Sequence, residues 1–151
     1  MRSLGASSAL LVGAQLCAAS LAYAADDLPW AFKAKAADGY SIDLVAVTPT
    51  PGTPLTTGNK VEFQITVTYS LTIAKTGVIV LVFQDEKNRN AQGKAPQMMQ
   101  PVGDATGTVT LTETITVPDN AKELRLFVPL VPDGIKNTSG EVTIRYPVAT
   151  R

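Results

Sequence analysis

Val61-Glu62-Phe63-Gln64-Ile65-Thr66-Val67-Thr68-Tyr69-Ser70-Leu71-Thr72 decides the fold. Odd positions are apolar or aromatic and even positions polar from end to end. A period of two puts the odd set on the core side of a half-buried strand and the even set in water, and no helix can segregate that pattern. A second stretch repeats it. Val109, Leu111, Ile115 and Val117 alternate with Thr108, Thr110, Thr112, Thr114 and Thr116. Glu113 breaks the apolar phase, and burying an unpaired carboxylate is costly, so it is expected near a sheet edge or a bulge.

Shorter strands fill the intervals. Ile42 and Leu44 alternate with Asp43, and Leu124, Leu126, Val128 and Leu130 alternate further on. There Pro129, which has no N–H, predicts an edge or a bulge. Val142, Ile144, Tyr146 and Val148 form the last run. Residues 78–83 are apolar throughout, which predicts a strand covered on both faces or lying centrally. Gly/Pro turn chemistry at residues 49–58, 75–77, 103–107, 118–120 and 132–134 separates these runs.

Such spacing predicts an all-β fold, an antiparallel immunoglobulin-like β-sandwich of about seven strands. The Pro-rich loop, Leu55, Gly58 and then Val61-x-Phe63-x-Ile65-x-Val67-x-Tyr69 resemble bacterial immunoglobulin-like and fibronectin type III-like modules. Val117-Pro118, followed by a strand a few residues beyond Asn120, extends the likeness over residues 40–148. The Cys…Trp…Cys core of antibody-type domains is missing, since Trp30 precedes the first strand. The resemblance implies a fold and transfers no functional residue.

Residues 1–24 read as a signal peptide: Arg2, an apolar stretch from Ala9 to Leu21, and Ala22-Tyr23-Ala24 as a small-x-small cleavage site. Residues 25–39 then form an N-terminal extension and residues 40–151 the sandwich domain, exported to the periplasm or cell exterior. Cleavage of 24 residues from 151 leaves 127, and it removes Cys17 and Arg2, leaving 12 basic against 13 acidic side chains. With no His anywhere and no Cys after residue 17, thiol nucleophiles, disulfides, His-based triads and ordinary zinc sites are excluded. The balanced charge argues against a nucleic-acid partner. No membrane span is expected after cleavage.

Three features could carry function. If the strand at 61–72 pairs with that at 108–117, Glu62, Gln64, Thr66, Thr68, Ser70 and Thr72 join the Thr row in one hydroxyl-rich face. Threonine is favoured on solvated sheet faces, and that reading outweighs docking of a protein or polysaccharide. Ice binding ranks lower still, because a sandwich face twists. The segment 85–105 is long for a connection, and long ordered loops often bind. Its Lys87, Arg89 and Lys94 suit an anionic partner, and residues 97–102 could add a short strand. Met98 and Met99 point to opposite sides of an extended chain, which favours packing or contact over copper ligation. Trp30 and Phe32 suit a folded-back N-terminal strand better than an exposed aromatic contact.

Enzymatic readings are thinner. Asp85, Glu86, Asp104 and Glu113 could pair as glycosidase carboxylates, whereas Ser41, Ser70 and Ser139 stand in no catalytic motif. The sequence therefore predicts a non-catalytic binding module with no cofactor and no metal. A protein partner is favoured, contacted through Lys87, Arg89, Lys94, Met98, Met99 and Trp30. A carbohydrate or cell-wall module comes second, with Trp30, Phe32, Tyr40 and Phe127 left as platforms once Phe63, Tyr69, Phe83 and Tyr146 are assigned to the core. A small carboxylate hydrolase is third.

Overall fold

The computed structural model describes residues 32–93, 98–136 and 140–150, and of Phe32 and Lys33 the backbone alone. The expected signal peptide, Trp30, Lys94 and Ser139 lie outside them. The described elements are all strands: β1 (Phe32–Lys35), β2 (Tyr40–Thr48), β3 (Leu55–Thr56), β4 (Lys60–Leu71), β5 (Gly77–Asp85), β6 (Met98–Val102), β7 (Thr106–Thr116), β8 (Glu123–Pro132) and β9 (Glu141–Ala149). They form a β-sandwich. The smaller sheet has the order β2-β4-β7; the larger runs β1-β9-β8-β5-β6, with β3 also on β9. Pairing is antiparallel except for the two-residue contact of β3 with β9.

The deciding stretch forms β4 at the centre of the smaller sheet. Phe63, Ile65, Val67, Tyr69 and Leu71 all point into the core. The alternating runs of β8 and β9 face them from the larger sheet, where Leu124, Leu126, Val128, Leu130, Val142, Ile144 and Tyr146 are fully buried. Burying each such side chain is worth about 1.5–3 kcal/mol. At the centre, Phe63 meets Phe83 and Tyr146 with ring centroids 5.3 Å apart in both pairs, tilted and edge-on respectively. The Tyr146 hydroxyl donates to the Pro49 carbonyl at 2.7 Å, which ties β9 to the loop after β2.

Three expectations change. Pro129 sits at neither an edge nor a bulge: β8 lies inside the sheet between β9 and β5. The register is the same on both sides of Pro129, from Ile79↔Leu130 to Val82↔Phe127, so no residue is inserted, and only the pairings at Val80 and Leu81 drop out. The true bulge is Val45, between Leu44↔Val67 and Ala46↔Thr66. It reverses the phase of β2, so that Ile42, Leu44 and then Val47 pack against the core while Val45 is exposed. Strand number also rises to nine: the expected folded-back N-terminal strand forms as Phe32–Lys35 on β9, the short strand allowed over 97–102 forms as Met98–Val102 on β5, and Leu55–Thr56 joins β9 as well.

Candidate functional site

The two outer faces of the sandwich differ in chemistry. On the smaller sheet, β4 and β7 pair in unbroken register, with Gln64↔Thr112, Thr66↔Thr110 and Thr68↔Thr108. The expected hydroxyl-rich face is therefore formed, and the hydroxyls of Thr66 and Thr110 hydrogen-bond at 3.0 Å.

The larger sheet carries the opposite surface. Odd-numbered residues of β5 point into the core, which leaves Val78, Val80 and Val82 on the outside. Cross-strand register puts Val80 beside Met99, Val78 between Pro101 and Val131, and Val82 beside Phe127. The three valines, Phe127 and Val131 shield one another and are half-buried, and Met99 stands out at 57% exposed. All described elements belong to the two sheets, so among the described residues no third layer covers this row. Antiparallel sheets that face water normally present polar residues, and an aliphatic row there is an exception that marks contact surfaces.

One end of the row is charged. Gln84 lies opposite Arg125, and Arg125 opposite Arg145. Glu123 Oε1 lies 2.5 Å from Arg125 Nε and 3.9 Å from Arg145 Nε, and Arg125 also donates to Asn88 Oδ1 at 2.8 Å. An apolar centre with a polar rim is the usual anatomy of a protein interface.

The loop after β5 is organised by Asp85. Its Oδ1 accepts the backbone N–H of Lys87 at 2.8 Å and of Arg89 at 2.9 Å, and its Oδ2 meets Arg89 Nε at 2.6 Å. Burial raises the Asp85 carboxyl, but the Arg89 and Lys87 hydrogen bonds and the Arg89 charge outweigh it and hold the pKa below the ordinary value. Beside this loop lies a shallow depression of about 240 Å³, bounded by Asp85, Arg89, Pro118 and Asn120.

The site residues expected from sequence are thus distributed unevenly. Lys87 is exposed on the loop, whereas the Arg89 guanidinium is engaged by Asp85. Met98 packs against the core and Met99 faces out. Tyr40 is 6% exposed, which removes it from the aromatic platforms. Asp104, just beyond β6, lies at the Gly77 end of β5, opposite the end that carries Asp85 and Glu86. Nine strand residues separate those ends by about 27 Å, so these carboxylates do not converge. The outward valines were the residues the reading of the loop overlooked, and their signal was the unbroken apolar run 78–83; Phe127, kept there as an aromatic platform, stands in this row beside Val82. No known family model and no curated protein matches the chain.

Proposed function

We propose that the protein is an exported, non-catalytic binding module that takes a protein partner on the outer face of its larger sheet. The aliphatic row Val78, Val80, Val82, Phe127 and Met99 carries this reading. Such a half-buried row, with Met99 standing out from it, gains by being covered, and the Arg125–Glu123–Arg145 rim would give the contact its orientation. The signal-like pattern of residues 1–24 supports export to the periplasm or cell exterior. The order β2-β4-β7 against β9-β8-β5-β6 supports the finer likeness to immunoglobulin-like and fibronectin type III-like modules.

The Thr-rich face favours a second reading, a polysaccharide or cell-wall module. One experiment separates the two. The immobilised full chain is presented with detergent-solubilised envelope of the source organism, beside a Val80→Lys/Met99→Lys variant of equal melting temperature. A protein retained by the parent and lost from the variant supports the proposal. Retention that survives the substitution, or that soluble cell-wall glycans displace, counts against it.

A further inference from the structure

A second surface, independent of the aliphatic face, lies along the free edge of β7. Every β4–β7 pair from Lys60↔Thr116 to Ser70↔Thr106 shares one register. Just beyond its two ends, Val117 N–H bonds the Asn59 carbonyl at 2.9 Å and Leu71 N–H bonds the Ala105 carbonyl at 2.7 Å. In an antiparallel ladder the bonding pairs alternate, so the odd-numbered residues of β7 exchange bonds with β4. The even-numbered ones, all Thr, turn their N–H and C=O groups away from it. The Thr116 carbonyl is capped by Gln92 Nε2 at 3.1 Å. Among the described residues, the edge-facing backbone groups of Thr106, Thr108, Thr110, Thr112 and Thr114 have no partner.

The other terminal strands are blunted. β1 has four residues, β6 has five and includes Pro101, and β2 is broken by the Val45 bulge. β7 runs for eleven residues with no bulge, Pro, Lys or Arg. Its one protective feature is Glu113, half-buried on the core side opposite Phe63, with no cation beside it among the described residues. An inward charge is a recognised guard against edge-to-edge pairing.

Glu113 also selects the partner. If β7 paired antiparallel with a second copy of itself, the inward residue facing Glu113 would come from Gly107, Val109, Leu111, Glu113 or Ile115. None is a cation, so self-pairing leaves the carboxylate buried and unpaired, or opposed to its own kind. A heterologous strand with Lys or Arg at that place satisfies it. We propose that β7 is an acceptor edge for an extended segment of another protein, one that pairs with the backbone of Thr106, Thr108, Thr110, Thr112 and Thr114 and sets a Lys or Arg against Glu113. Main-chain bonds supply affinity in this mode and the facing side chains supply specificity.

The test uses the full chain and capped nonapeptides that alternate threonine with valine, bearing lysine or glutamate at the central inward place. The lysine peptide is expected to bind about tenfold more tightly than the glutamate peptide. Glu113→Gln should erase that preference. Thr112→Pro removes an edge-facing N–H without touching a β4 bond, and it should abolish binding while the far-ultraviolet circular dichroism stays unchanged. Bound peptide should slow amide exchange at Thr108, Thr110 and Thr112, a readout that holds even if the proline variant misfolds. Equal binding of the two peptides, none up to about 1 mM, or a preference that survives Glu113→Gln overturns the proposal.

Discussion

Single residues set several properties of this molecule, and Asp85 is the one most open to test. Its carboxylate is held below the ordinary value of 3.8, so the folded state gains stability from it above that pH. The gain is lost as pH falls through the lowered, folded-state value. Chemical denaturation of Asp85→Asn near pH 7 should show a loss of about 1–3 kcal/mol, and the variant should lose less than the parent on acidification below pH ~4. Tyr146→Phe leaves the Pro49 carbonyl without its donor and should cost about 1 kcal/mol in the same assay. Gly107 is tight for a different reason: an added Cβ would lie 2.8 Å from the Tyr69 ring. Gly107→Ala should therefore destabilise by about 1–3 kcal/mol, measured as a lowered denaturation midpoint with an unchanged slope. Phe63, Tyr69 and Tyr146 were legible from their phase in the alternation, whereas Asp85 was not. Its role depends on a turn that brings the N–H groups of Lys87 and Arg89 back onto one carboxylate, and spacing alone does not show that.

At the scale of the elements, the alternation of β4, and of β7 apart from Glu113, gave away their faces, since a slip of one residue would bury every Thr of β7, whereas their pairing stood in the sequence only as a condition. β2 was read less well, because the Val45 bulge changes the phase within one strand. Pro129 misled for a related reason. A missing N–H is best tolerated at an edge, yet here the surrounding ladder, paired through Leu130 and Phe127, spans the gap without shifting. The short strands β1 and β3 have too little sequence to show a period and exist because β9 offers them an edge. The prediction that belongs here concerns β7. Replacing its inward charge, as in Glu113→Val, should let the edge pair with a second copy, and light scattering after size exclusion should show concentration-dependent dimers or larger species. A variant that stays monomeric at the highest soluble concentration would show that Glu113 does not guard the edge.

For the whole molecule, the sandwich has a hydroxyl-rich face on one side and an aliphatic face on the other. The run 78–83 was apolar enough to suggest cover on both sides or a central place in the sheet; β5 does lie centrally, between β8 and β6, and the described residues cover its inner side alone. That remainder is the basis of the binding proposal. The aliphatic face itself was not legible in the sequence, because it is assembled by the registers Val80↔Met99 and Val82↔Phe127, which join segments distant along the chain. The most direct measurement is oxidative footprinting of the full chain with dilute peroxide, read by mass spectrometry, in buffer and in the solubilised envelope of the source organism. The account predicts that Met99, 57% exposed in the free protein, is oxidised readily in buffer and protected in the envelope. Equal oxidation of Met99 in both conditions would contradict it.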